Sequence, residues 1–259
     1  SNLLDDPGGA ALRSVIHEED RAAFAGSPKP IYTLSQNVAG RLDRYLGLQG
    51  TPLYHPPPNA GLFQPGPYGD YLFVPGRINP SKRLELILNA LAQAGQGARL
   101  VIAGTAENPA YQDQLMTLSR ELGIDARVTW LGRVPEDDLR RHYAEARAIV
   151  FTPQDEDYGY VALEAMLAAK PVVTVTDAGG PLEFVRDGQE ALICPPEPAA
   201  LAQAFDILLS DTGQAVRLGQ AALARYHALD VSWAHVVETL TGAPAHRAEA
   251  EPVPDTATA

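Results

Sequence analysis

From Tyr71 onward, short apolar runs alternate with amphipathic stretches. The runs at 71–74, 100–103, 128–131, 148–152, 171–175 and 191–194 are rich in Val, Ile and Leu. That is the pattern of parallel strands buried on both faces. Between them, Leu84, Ile87, Leu88 and Leu91 fall at i, i+3, i+4 and i+7, one face of a helix. Further helical patterns cover about 110–122, 136–146 and 160–169, and three more (198–209, 213–228, 232–240) follow the last strand. Strict alternation of the two periods predicts an α/β fold, a Rossmann-like doubly wound parallel sheet of about six strands flanked by helices.

The first 65 residues break this pattern. Residues 1–28 hold few apolar clusters; then comes one strand–helix–strand unit at 30–34, 35–46 and 51–54, and a Pro/Gly-rich linker over 55–69. Three elements leave too little core for a domain of their own. Residues 1–65 therefore read as the end of a second Rossmann-like domain plus linker, 66–241 as the main domain, and the Ala/Pro/Glu/Thr-rich 242–259 as a disordered tail. The chain opens on Ser1-Asn2 rather than methionine, which reads as processing, excision from something longer or an added segment. On helix 35–46, Val38, Leu42, Tyr45 and Leu46 share one side, a stripe expected to be exposed or loosely covered.

Charge narrows the partners. Net charge is −12, from 32 acidic and 20 basic residues, with no long basic stripe, so nucleic acid is not a main partner. An acidic chain that binds an anion needs a local basic pocket. The single cysteine, Cys194, allows no internal disulfide and points to a reducing, cytoplasmic compartment. Lying in an apolar run, it reads as a core residue rather than a nucleophile. No stretch approaches the roughly 18 apolar residues of a membrane span, and no signal peptide is visible. The histidines show no metal spacing; His55, beside Pro56–Pro58, reads as structural, and Trp130 and Trp233 read as core.

Two segments carry candidate chemistry. In the turn Gly76-Arg77-Ile78-Asn79-Pro80-Ser81-Lys82-Arg83, Asn79 suits a helix N-cap and Pro80 the first helical position. Lys82 and Arg83 then fall in the first helical turn, where the dipole disfavours cations unless an anion is bound. Solvated surface charge is the alternative. The second segment is Glu156-Asp157-Tyr158-Gly159-Tyr160 and its helix, apolar on every side with Glu164 as its only charge. A lone buried carboxylate needs donors. A structural arginine or backbone amide would serve, and so would vicinal ligand hydroxyls such as those of a ribose. Gly159 would admit a ligand close to the backbone. Asp155-Glu156-Asp157 is formally a metal-binding D-x-D, a three-residue match that chance supplies often. No G-x-G-x-x-G follows the first strand, which argues against a nicotinamide enzyme.

Glu156 and Glu164, seven residues apart and followed by Lys170-Pro171-Val172-Val173, together with the Gly-Arg-x4-Lys spacing of Gly76, Arg77 and Lys82, resemble segments of the retaining family 4 glycosyltransferases of GT-B fold. So do Leu131-Gly132-Arg133-Val134 and Gly179-Gly180-Pro181-Leu182-Glu183, in the right order. The resemblance covers roughly 35–240. It implies that Arg77 and Lys82 neutralise a donor diphosphate, that Glu164 holds ribose hydroxyls, and that Glu156 contacts the transferred sugar. It also implies that the Gly159–Tyr160 backbone meets phosphate, with Gly76 in the diphosphate turn, and that Gly132, Arg133 and Val134 border the base. The implied partners are a UDP- or GDP-sugar donor, a saccharide or lipid-linked acceptor, and an acceptor domain or chain beyond the remnant at 1–65. No metal or other cofactor is implied. A donor-binding module without turnover of its own is the reading of a different class.

Overall fold

The computed structural model describes residues 7–27, 29–229 and 231–242. The predicted tail, apart from Gly242, lies outside the described residues. The main body is one six-stranded, all-parallel sheet: β3 (Leu72–Pro75), β4 (Leu100–Ala103), β5 (Val128–Gly132), β6 (Ala148–Val150), β7 (Val172–Val175) and β8 (Ala191–Cys194), in the order β5-β4-β3-β6-β7-β8. The chain moves outward from β3 to β5, returns to the centre, and moves out the other way from β6 to β8. The direction of winding reverses between β3 and β6, and ligands of such sheets bind at the carboxyl ends of the strands there.

Strand residues alternate between two apolar layers, as a period of two requires. Leu72, Val74, Ala148, Val150, Val173 and Val175 face a layer with α3 (Leu84–Gln93), α4 (Pro109–Glu121) and α7 (Pro198–Ser210). Phe73, Ile149 and Val172 face the other, with α5 (Glu136–Glu145) and α6 (Tyr160–Leu167). The helix α8 (Thr212–Ala228) contributes to both layers, and α9 (Trp233–Thr241) follows it. The six predicted strands and the helices between them are all present.

The amino-terminal region holds a helix where few apolar clusters were read, α1 (Pro7–Ala25). Its stripe of Leu12, Val15 and Ile16 is diluted by charge and stays exposed, which hid it from a search for buried patterns. It packs on α2 (Gln36–Leu46), with the rings of His17 and Tyr45 5.6 Å apart. The expected exposed stripe of α2 is mostly covered: Leu46 is buried, Val38 and Leu42 are half-buried, and only Tyr45 is exposed. The flanking strands, β1 (Tyr32–Thr33) and β2 (Thr51–Pro52), form a separate parallel pair.

The linker is pinned. Lys170, fully buried in the turn between α6 and β7, donates to the carbonyls of Gly66 and Pro67 at 2.9 and 2.8 Å. Its ammonium also lies 3.7 Å from the Tyr68 ring centre. Burial, with the Arg147 charge nearby, lowers its pKa to about 8. Two aromatic expectations part company here. Trp130 is half-buried against the core, whereas Trp233 is 52% exposed, because α9 buries only Val236. Cys194 is half-buried in β8, and burial lifts its thiol to about 11, as suits a packing residue.

Candidate functional site

The turn after β3 differs in detail from the predicted helix start. Pro80–Lys82 forms its own 3-10 turn, and Arg83 adopts a left-handed conformation (φ 54°) before α3 begins at Leu84. Neither cation therefore sits in the first turn of the α-helix. Arg83 instead donates to the carbonyls of Thr152 and Pro153 (3.1 and 2.6 Å) and pairs with Asp177. Its guanidinium holds the Asp177 carboxyl below its usual value. Lys82 forms an ion pair with Glu156 and lies 5.3 Å from the Phe151 ring centre. The cationic turn thus has an internal counter-charge. Arg77 is exposed and pairs with Glu107 at 2.8 Å. Nothing in the sequence signals that partner.

The three acidic residues after β6 reach three different partners. Asp155 accepts from the Asn37 amide at 2.8 Å, Glu156 pairs with Lys82, and Asp157 pairs with Arg41. Asn37 also donates to the Glu156 carbonyl at 3.0 Å. The carboxylates are spread, not converged, and among the described residues no cluster of three His, Cys, Asp or Glu could hold a metal.

Gly159 begins α6 with φ 89°, and a Cβ there would lie 2.5 Å from Pro181. The glycine is thus required by backbone conformation and packing, whatever ligand approaches. No side chain caps α6; the Ala162 amide bonds the Gly159 carbonyl at 3.0 Å, which leaves those of Tyr160 and Val161 open to an acceptor. Most of the helix is buried, but Tyr160, Val161 and Glu164 keep partial exposure toward a cleft of about 310 Å³. The donor to Glu164 is neither of the expected groups: Tyr143 of α5 donates to its Oε2 at 2.5 Å. Burial raises the pKa of Glu164, and the Tyr143 hydrogen bond opposes the rise. Burial and the Glu164 charge lift Tyr143 well above its ordinary value, so it stays a donor.

The cleft gathers Gly76, Arg77, Lys82, Glu156, Gly159, Tyr160 and Glu164 at the carboxyl ends of β3 and β6. An adjoining recess, sharing Gly76 and Arg77, adds Thr105, Arg133, Val134 and Glu136. Gly132 lies behind that recess; its carbonyl accepts from the Gly104 amide at 2.8 Å, which sets the turn presenting Arg133 and Val134. At Gly104 a Cβ would come 1.8 Å from the Gly76 carbonyl oxygen, so glycine lets the ends of β3 and β4 close on each other. Tyr143, Val161 and Thr105 escaped the sequence reading. Tyr143 alone left a signal: it follows Leu139 by four residues on α5, a face that must pack inward. A cavity of similar size at the opposite end of the sheet is lined by Arg147, whose guanidinium is engaged by the carbonyls of Gly69, Leu208 and Leu209.

Residues 67–225 match the family described as glycosyl transferases group 1. The chain belongs to that family. Its six-stranded sheet is that of GT-B glycosyltransferases. The D-inositol 3-phosphate glycosyltransferase of Nocardia farcinica is 36% identical over 173 residues, 64% of this chain and 38% of that protein. Its counterpart in Mycolicibacterium gilvum is 34% identical over 246 residues, 88% of this chain and 52% of that protein. This glycosyltransferase chain therefore spans about half or less of these relatives. Among solved structures, Anabaena Alr3699/HepE in complex with UDP and glucose superposes with a TM-score of 0.74 at 23% identity, covering 83% of this chain and 63% of that one. Among the described residues no helix is long and apolar enough to cross a membrane.

Proposed function

We propose that this chain binds the nucleotide-diphosphate-sugar donor for a retaining, metal-independent glycosyl transfer of the family 4 type. Residues 66–241 would form the donor domain, and 1–65 the end of an acceptor-binding domain. The observation that carries the reading is the crevice at the β3/β6 reversal, lined by two cations and two carboxylates. A diphosphate leaving group gains negative charge as the glycosidic bond breaks, and cations already in place stabilise that charge. Lys82 would exchange Glu156 for phosphate and so free that carboxylate for hydroxyls of the sugar. Glu164, already holding one donor, suits the vicinal hydroxyls of a ribose. The Arg133–Val134 recess is the place for the base. UDP is the first probe because the Anabaena structure holds it; a GDP-sugar fits the same chemistry.

The acceptor, a saccharide or a lipid-linked sugar in polysaccharide biosynthesis, would meet the donor from the side of α2. A second reading, a donor-binding module that needs a separate acceptor domain for turnover, draws on the small two-stranded unit beside the large sheet. Calorimetry with UDP and GDP tests the site. Glu164→Ala should weaken nucleoside diphosphate binding by about 1.5–3 kcal/mol, the range for hydrogen bonds to charged groups. Glu156→Ala should weaken it less, and EDTA should change nothing. Equal losses in the two variants, or a larger loss for Glu156→Ala, would overturn the assignment; a metal requirement would revive the D-x-D reading.

A further inference from the structure

Glu164 lies in a cleft that otherwise offers it little. Its Oε2 accepts from Tyr143 at 2.5 Å, and its Oε1 has no hydrogen-bond partner among the described residues. Tyr143 itself is fully buried, its ring edge-on to Phe63 and Phe73 with centres 5.4 and 5.3 Å apart. A phenol so held cannot swing away. A carboxylate grips a vicinal diol only when both oxygens lie in the right plane and the group is ionised. On a helix, the Glu side chain is otherwise free about its terminal torsion.

We infer that Tyr143 is a positioning residue for nucleotide binding: its hydroxyl fixes the plane of the Glu164 carboxylate and so sets the preference for a ribose carrying both hydroxyls. The inference rests on the donor-site reading above. A phenol donor does this better than an arginine, because it orients one oxygen without neutralising the charge the diol needs. It also favours the ionised form against burial. The other charged or titratable groups facing Glu164 are Glu136 of α5, Tyr160 on its own helix, and Arg77, Lys82 and Glu156 across the cleft. Glu136 works against ionisation. Lys82 is engaged by Glu156, and Arg77 by Glu107. Tyr143 is thus the group bonded directly to the carboxylate that opposes its protonation.

The test is the ratio of affinities for UDP and 2′-deoxy-UDP, with the GDP pair in parallel, since both members of a pair share base and phosphate. Tyr143→Phe keeps the ring packing and removes only the hydroxyl. The wild-type chain should prefer the ribonucleotide by about 10-fold, as for the loss of one charge-assisted hydrogen bond. Tyr143→Phe should cut that preference to about 3-fold or less. Because its Glu164 loses the bond that opposes protonation, the remaining preference should fade at higher pH than in wild type as pH is lowered. A variant that weakens both nucleotides equally, keeping the wild-type ratio and pH profile, overturns the inference and leaves Tyr143 a packing residue. Glu164→Ala separates the two levels. If it abolishes the preference while Tyr143→Phe does not, only the positioning role falls. If it keeps the preference, or if the wild-type chain binds neither pair, the ribose assignment falls as well.

Discussion

The amino-terminal unit and the six-stranded sheet use the same kinds of residue in opposite ways. In the sheet body, Leu72, Phe73, Leu88 and Phe205 are fully buried between strands and helices. In the amino-terminal unit, Leu12, Val15 and Ile16 are each about half exposed, at 53%, 55% and 48%. What fastens that unit to the body is largely polar. The Glu183 carboxylate accepts from the amides of Gln36 and Asn37, both at 2.9 Å, and from the Tyr54 hydroxyl at 2.7 Å, so it caps α2 from another part of the chain. Ser35 donates to the Asp157 carbonyl at 2.5 Å, and His55 stacks on Tyr158 with centres 4.4 Å apart. The body is held by buried area, the attachment by hydrogen bonds, charge and a few aromatic contacts. The loop 155–157 belongs to both, gripped by α2 on one side and by Lys82 on the other.

The largest contrast should come from truncating matched aromatics. Phe205→Ala, in the packed layer between α3 and α7, should cost about 3–5 kcal/mol in urea unfolding. Phe24→Ala, on exposed α1, should stay within about 0.5 kcal/mol. Similar losses at both positions would erase the distinction between the regions.

A smaller effect should appear at the joint. Lys170 has a folded pKa of about 8 against an ordinary 10.5. Between those values the unfolded chain binds more protons, so the stability of the wild type should rise with pH through that window. Lys170→Met lacks the group, so the wild type should gain on it by about 2 kcal/mol between pH 8 and 10. Parallel pH profiles for the two proteins would show that the linker carbonyls and the Tyr68 ring already compensate the buried charge in full.

The smallest effect concerns the latch. Glu183→Ala removes the acceptor of the Gln36 and Asn37 amides and a tyrosine partner while the Ser35 cap on the Val38 amide stays, a loss of about 1 kcal/mol locally. Hydrogen exchange should quicken at the amides of α2 and β2 while those of β3 to β8 hold their rates. Uniform quickening across the sheet would mean that the unit and the body unfold together.

Much of the candidate site was legible because its residues are close in sequence. The turn 76–83 and the segment 156–164 each follow a central strand, and a doubly wound sheet brings the ends of such strands together. Their long-range partners were not legible. Tyr143 meets Glu164 from a neighbouring helix, Arg77 turns to Glu107, and Arg83 leaves the turn for Asp177. Each pairing depends on side-chain directions across elements, which periodicity does not carry.

By itself the sequence determined the alternation of strand and helix, the six-stranded sheet, and the segments that line the crevice. Apolar periodicity and turn residues act locally, and a parallel sheet with crossover helices is the arrangement that buries such a pattern. Only the tertiary structure decided which charges are already satisfied and which remain open. It paired Lys82 with Glu156, gave Glu164 a tyrosine, half-buried most of the α2 stripe, and set Glu183 against the first amides of α2. The reason is physical: the free energy of a buried charge or an exposed apolar face depends on what lies within a few ångströms of it, and that neighbourhood is assembled from residues far apart in the chain.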